Sequence, residues 1–244
     1  LGVKYKIIEG YVHATAPKGL KGSKIRFSKI SVGATENLII AASLAKGETI
    51  LKNCAIEPEI EDLINFLRKM GCNIKWSGKR TITILGVKLL REVNYKIMFD
   101  RIEAGTYMIA SALTGGNLKI TNIKPKIIKT EIDILRKVGA NIKTKDAELR
   151  IIGRNKINNI KIITAPYPGF PTDLQAQLMV LLCRAFGRSE IIEKIFENRF
   201  MHASELNRMG AKIKIFGNRA IIEGNVNFKA AELMATDLRA SVSL

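Results

Sequence analysis

Apolar and polar positions follow two rhythms along this chain. Over 58–70, Ile60, Leu63, Ile64 and Leu67 recur at helical spacing. Over 73–76 and 80–85 the rhythm shortens to every second residue, the mark of a half-buried strand. Gly71 stands at the change, and glycine suits the left-handed residue that closes a helix. The pattern predicts helix, glycine cap, strand, strand.

The same passage returns. Leu67-Arg68-Lys69-Met70-Gly71-Cys72-Asn73-Ile74-Lys75 is matched by Leu135-Arg136-Lys137-Val138-Gly139-Ala140-Asn141-Ile142-Lys143 and by Leu206-Asn207-Arg208-Met209-Gly210-Ala211-Lys212-Ile213-Lys214. Their glycines lie 68 and 71 residues apart, and Leu1-Gly2-Val3-Lys4-Tyr5-Lys6 resembles the end of the same element. Upstream, each copy predicts an opening strand (24–27, 95–99, 161–164), a first helix (to 45, 113 and 185) and a middle strand (49–53, 117–121, 189–193). A second helix (58–70, 130–138, 202–209) and a strand pair complete it, the later pairs being 141–145 with 148–152 and 212–216 with 219–223. The expected fold class is α/β, built from three βαβαββ units of about 65–70 residues. The chain opens on Leu1 inside one unit and ends at Leu244 inside the first helix of another, which reads as a fragment with an uncovered apolar helix face.

Composition narrows the class. With 244 residues, 47% of them hydrophobic and 25% charged, the chain buries a real core and is neither disordered nor collagen-like. Its longest apolar runs, 38–45 and 178–183, fall far short of the ~20 residues of a membrane span, and no signal-peptide pattern is visible. Cys54, Cys72 and Cys183 lack pairing spacing and point to a reducing, cytoplasmic setting. Two histidines, His13 and His202, leave little for a classical metal site. Forty Lys and Arg against 22 acids give a net charge of +18, a field that attracts anions. The lysines are scattered, aromatics make up 6%, and no nucleic-acid motif is present, so specific nucleic-acid binding is not expected.

Thr35, Thr106, Thr172-Asp173 and Thr236-Asp237 stand where each first helix should begin. An N-cap is the ordinary reading; several helix termini converging on one place would make an anion site. Arg239 has two readings, a solvated helix-face arginine or a clamp for phosphate or carboxylate. Glu57-Pro58-Glu59 reads as a helix start, and Cys54 and Cys183 as core.

Six motifs occur in order: Ser31-Val32-Gly33-Ala34-Thr35, Glu57-Pro58-Glu59-Ile60, Asp100-Arg101-Ile102-Glu103-Ala104-Gly105-Thr106, Phe170-Pro171-Thr172-Asp173-Leu174-Gln175-Ala176-Gln177, Phe196-Glu197-Asn198-Arg199-Phe200-Met201-His202 and Thr236-Asp237-Leu238-Arg239-Ala240-Ser241. Together they resemble the UDP-N-acetylglucosamine 1-carboxyvinyltransferase family, the bacterial enolpyruvyl transferases of peptidoglycan precursor synthesis, over the whole chain. The sister 5-enolpyruvylshikimate-3-phosphate synthases share the repeat architecture but not this motif set. The resemblance implies an inside-out α/β barrel, here incomplete, with 1–98 in a domain carrying the UDP-sugar segment, 99–244 in a second, and the active site in the cleft between them. It implies transfer of the enolpyruvyl group of phosphoenolpyruvate to the sugar 3-hydroxyl with release of phosphate. It also implies a cytoplasmic role in cell-wall biogenesis, cell shape and division, and no metal or organic cofactor.

Carried over by position, Asp173 is the expected base at the sugar hydroxyl, and Asp237 and Arg239 a pair near the reacting groups. Lys29, Ile30, Ser31 and Val32 match the segment that holds the UDP part, and Ile195 with Phe196 another nucleotide-sugar contact. Glu57 and Arg101 match interdomain positions. The family's catalytic Cys, its N-terminal Lys-Asn pair and a further anion-binding Arg would fall outside Leu1–Leu244, and none of the three cysteines here stands at the catalytic position. The expectation is a piece of an enzyme that is inactive alone. The alternative is a non-catalytic remnant, or a split-gene half needing a complementary N-terminal piece.

Overall fold

The structure, a computed structural model, describes residues 1–235 and 240–244. It divides into two compact units, Leu1–Met98 and Phe99–Leu244.

The first unit opens with an exposed antiparallel hairpin, β1 (Lys4–Ile8) and β2 (Tyr11–Thr15). One repeat follows: β3 (Lys24–Arg26), α1 (Val32–Ser43), β4 (Glu48–Lys52), α2 (Pro58–Lys69), β5 (Asn73–Gly78) and β6 (Thr81–Leu85). The sheet order is β3-β4-β6-β5, with β3 parallel to β4 and the other pairs antiparallel. Helix α2 shows why the sequence folds this way. Pro58 sits in its first turn with Glu59 and Glu61, and Arg68 and Lys69 in its last, each charge favoured by the helix dipole. Ile60, Ile64 and Leu67 form its buried stripe against Ile39, Leu51, Ile82 and Ile84.

The second unit holds two repeats. The first comprises α3 (Arg101–Thr114), β7 (Asn117–Thr121), α4 (Lys129–Val138), β8 (Asn141–Lys145) and β9 (Glu148–Ile152), in a three-stranded sheet of order β7-β9-β8. The next comprises β10 (Lys161–Ile163), a 3-10 turn Thr172–Leu174, α5 (Gln175–Cys183), β11 (Arg188–Ile192), α6 (His202–Arg208), β12 (Lys212–Phe216) and β13 (Arg219–Glu223), in sheet order β10-β11-β13-β12. Every residue of α5 is buried, so it is the central helix of this unit rather than an amphipathic cover.

The cap glycines behave as expected: Gly71, Gly139 and Gly210 take φ of 96°, 114° and 96°. A second glycine position recurs just after β6, β9 and β13. A Cβ at Gly86, Gly153 or Gly224 would sit 1.9, 2.4 or 1.8 Å from the carbonyl oxygen of Ala45, Ser111 or Ala185 respectively. The end of each hairpin packs backbone to backbone against the end of its first helix, and only glycine permits that approach.

Three local expectations are corrected. Thr35 and Thr106 are not N-caps; Ser31 and Asp100 cap one turn earlier, and the threonine hydroxyls donate to the carbonyls of Ser31 and Ile102 at 2.7 and 2.9 Å. Residues 95–99 form no strand. Asp62 of α2 engages them instead, accepting from Tyr95 Oη at 2.8 Å and Met98 N at 3.3 Å. The chain end is a short 3-10 turn, Ala240–Ser243, and Leu244 packs partly buried on the second unit's core.

Candidate functional site

The sequence-predicted residues fall in both units. In the first, Ser31 is the N-cap of α1, its Oγ accepting from Ala34 N at 3.2 Å. Thr35 Oγ1 donates to Ser31 O and accepts from Ala55 N at 3.1 Å, tying this turn to the segment after β4. Ile30 and Val32 pack partly buried on the core, while Lys29 and Ser31 stay exposed. Nearby, the Glu36 carboxyl is held above its ordinary range by burial and by the charges of Glu59 and Glu57.

In the second unit, Asp173 stands in the 3-10 turn that leads into α5. Its Oδ1 accepts from Arg199 Nη2 at 2.7 Å, with the two side chains 35% and 19% exposed. The Arg199 guanidinium lies 4.7 Å from the ring centroid of Phe196. Ile195 and Phe196 project outward, 36% and 54% exposed. Beneath them Glu193 is buried. Its Oε1 accepts from Thr164 Oγ1, Ile195 N and Phe196 N at 2.8, 2.7 and 3.1 Å, and its Oε2 from Thr172 Oγ1 at 2.8 Å. One carboxylate thus joins the end of β10, the residue before Asp173 and the start of the 194–199 loop.

Arg101 is buried, 3.6 Å from Glu131 Oε1 and 5.8 Å from the ring centroid of Tyr167. Asp237 and Arg239 lie outside the described residues. Among the described residues, no three His, Cys, Asp or Glu side chains gather as a metal site would require, and no helix is long and apolar enough to cross a membrane. Burial pushes the thiols of Cys54 and Cys183 up to about 11 and about 12, so neither is poised as a nucleophile.

A family model described as EPSP synthase (3-phosphoshikimate 1-carboxyvinyltransferase) matches residues 1–244. The chain belongs to the EPSP synthase family. Within it, the chain is similar to UDP-N-acetylglucosamine 1-carboxyvinyltransferase of Pelagibacter ubique (strain HTCC1062), at 72% identity over 244 residues, 100% of this chain and 58% of that protein. The protein of the same name from Azorhizobium caulinodans is 51% identical over 245 residues, 100% of this chain and 57% of its own. Among solved structures, the enolpyruvyl transferase NikO from Streptomyces tendae superposes with a TM-score of 0.88 at 25% identity, covering 99% of this chain and 60% of that one. EPSP synthase from Acinetobacter baumannii shares the fold at a TM-score of 0.69 and 22% identity, with 99% and 60% covered. The chain spans about 58% of the length of the curated relatives it matches.

Within this family fold, reading the sequence left out two residues that organise the second group, Glu193 and Arg199. Glu193 carried a signal: the first two repeats have Asn53 and Asn122 at the position after the middle strand, and the third has an acid. Arg199 sat in a quoted motif, but its pairing with Asp173 spans 26 residues and needs the fold to bring it about.

Proposed function

We propose that the chain is part of an enzyme that transfers the enolpyruvyl group of phosphoenolpyruvate to the 3-hydroxyl of UDP-N-acetylglucosamine, releasing phosphate. The supporting observation is the Asp173–Arg199 pair beside the exposed Ile195–Phe196 segment, in a chain 72% identical to a protein of that name.

In this reading Asp173 takes the hydroxyl proton while the sugar oxygen adds to C2 of phosphoenolpyruvate and an acid protonates the methylene carbon. Loss of phosphate and of a proton from the new methyl group then restores the double bond. Arg199 holds Asp173 in place, and Phe196 and Ile195 offer apolar surface to the nucleotide sugar. Lys29, Ile30, Ser31 and Val32 are assigned to the UDP part, and Asp237 and Arg239 to the reacting groups. The enzyme would act in the cytoplasm, in building the cell wall, and without a cofactor.

The test is phosphate release from phosphoenolpyruvate and UDP-N-acetylglucosamine. It is run with this chain alone and with the part of the Pelagibacter relative that the chain does not span. Turnover is expected only in the mixture, with Asp173→Asn lowering it at least ~100-fold, the low end of what one proton-transfer group contributes. A soluble mixture that stays inactive, or an Asp173→Asn variant as fast as the parent, would overturn the assignment.

A further inference from the structure

The second helix of each repeat reaches forward along the chain. From α2, Asp62 accepts from Tyr95 Oη at 2.8 Å and from Met98 N at 3.3 Å, just before α3 begins. From α4, the Thr130 hydroxyl donates to Pro168 O at 2.6 Å, five residues before Asp173. From α6, Glu205 Oε2 accepts from Met234 N at 3.0 Å, three residues before Asp237. Each time a side chain of the second helix holds main chain on the approach to the next repeat. Asp62 and Thr130 share one repeat position, nine residues before the cap glycines Gly71 and Gly139.

The following position sets the second repeat apart. Eight residues before the cap glycines stand Leu63, Glu131 and His202. Leu63 packs partly buried on its core, while Glu131 is only 3% exposed. A carboxylate taken out of water is costly unless it is paired, and packing alone does not call for one, since Leu63 fills the matching place with apolar surface. Glu131 Oε1 lies 3.6 Å from Arg101 Nη1, and the Arg101 guanidinium lies 5.8 Å from the ring centroid of Tyr167. Two consecutive residues of α4 thus reach two consecutive residues of one loop: Thr130 directly to Pro168, and Glu131 through Arg101 to Tyr167.

That loop leads into the 3-10 turn of Asp173. Its base is closed on itself. Ala165 N donates to Phe170 O at 3.0 Å, Gly169 N donates to Pro166 O at 2.8 Å, and Phe170 is buried in the core. Its tip is the part that α4 holds, with Pro168 exposed and Tyr167 half-buried. On the other side Arg199 pairs with Asp173, and Glu193 accepts from Thr172. Asp173 stands between two supports, one from its own repeat and one from the repeat before.

We propose that Thr130 and Glu131 are positioning residues for Asp173, acting through the 165–170 loop. This role rests on Asp173 being the base of the proposed transfer. A base must stand within hydrogen-bond reach of the proton it takes, and a misplacement of ~1 Å costs about 100-fold in rate. Neither Thr130 nor Glu131 is assigned to a substrate, so their loss is felt in kcat and not in KM.

The test uses this chain mixed with the part of the Pelagibacter relative that it does not span. Thr130→Val keeps the shape and removes the donor, and should lower kcat about tenfold with KM for both substrates within about twofold. Glu131→Leu copies the first repeat and should lower kcat further, while Glu131→Gln, which keeps an acceptor oxygen for Arg101, should recover most of the loss. Amide hydrogen exchange needs no turnover: Ala165 and Gly169 should exchange at least ~fivefold faster in the Val and Leu variants, with Glu190 on β11 unchanged. If Glu131→Leu fails to fold because Arg101 loses a buried partner, Thr130→Val decides. Unchanged kcat in the variants overturns the proposal, even if the loop exchanges faster, because Asp173 then does not depend on α4. Reduced kcat with unchanged loop exchange overturns it as well. If the unsubstituted mixture is itself inactive, the transferase reading has failed, and exchange alone decides: unchanged Ala165 and Gly169 overturn the hold of α4 on the loop, and faster exchange upholds it.

Discussion

Two strand ends occupy the same place in the repeat and lead to opposite outcomes. After β4 the chain turns inward: Asn53 takes a left-handed turn, Cys54 and Ala55 are fully buried, and α2 starts at Pro58. After β11 the chain turns outward: Glu193 is buried, but residues 194–198 are exposed before Phe200 returns to the core. The scaffold bond is shared, since both residues tie down the end of the opening strand. The difference lies in capacity. The Asn53 amide donates from Nδ2 to one carbonyl here, whereas the Glu193 carboxylate, with two acceptor oxygens, gathers four donors and fixes an exposed loop. The repeat supplies the frame, and the departure from it marks where apolar side chains are held out to solvent.

The largest effect is expected from Glu193→Ala. It strands the buried Thr164 hydroxyl, the half-buried Thr172 hydroxyl and two amides at once, and is expected to lower unfolding free energy by about 3 kcal/mol, read from the denaturant midpoint. Glu193→Gln keeps acceptor oxygen in place and should lose about 1 kcal/mol. Limited proteolysis should cut 194–199 faster in the Ala variant. If Ala and Gln variants melt together and cut alike, the loop does not depend on Glu193 and the contrast with Asn53 is empty.

How far these features were legible depends on how local they are. The helices and strands of each repeat could be read because one pattern is written three times, and the cap glycines mark the same boundary in each copy. Caps slipped by a turn because Ser31 and Asp100, not the repeated threonines, lie next to the free helix amides. The region 95–99 has strand-like alternation, yet its conformation is decided by Asp62, more than thirty residues earlier in the chain. Asp173 was legible as a motif residue. The Arg199 bond and the Glu193 hub that position its surroundings are long-range and leave little local trace.

A smaller effect is expected at Asn53. Asn53 combines φ 63° with the bond from its Nδ2 to Phe27 O. Asn53→Gly removes the bond and keeps the conformation at no steric cost, so a loss of about 1 kcal/mol is expected. Asn53→Ala adds the left-handed penalty of roughly 1 kcal/mol and should be the worse of the two. The order Gly above Ala in thermal midpoint is the check; equal midpoints would mean that the backbone there relaxes and that the turn is not what seals the segment.

An effect seen only at alkaline pH comes from the residue this turn seals in. Burial raises the Cys54 thiol from 9.0 to about 11, although the Ile82 backbone and the Arg80 charge pull it down. Its counterpart after β11 is the exposed Lys194. Between pH 9 and 11 an unfolded chain has lost the Cys54 proton while the folded chain keeps it. Unfolding then releases a proton, and rising pH favours the unfolded state. The contribution of Cys54 is therefore complete below pH 9 and is lost as pH climbs through 11. Other groups titrate in that window, so the readout is the difference in denaturant midpoint between the parent and Cys54→Ala across pH 8 to 11. The gap between them should narrow as pH rises. At pH 8 the buried thiol should react with a disulfide reagent only after denaturant is added. A gap that stays constant, or rapid labelling of the native chain, would mean that water reaches Cys54 and that the segment after β4 is as open as the one after β11.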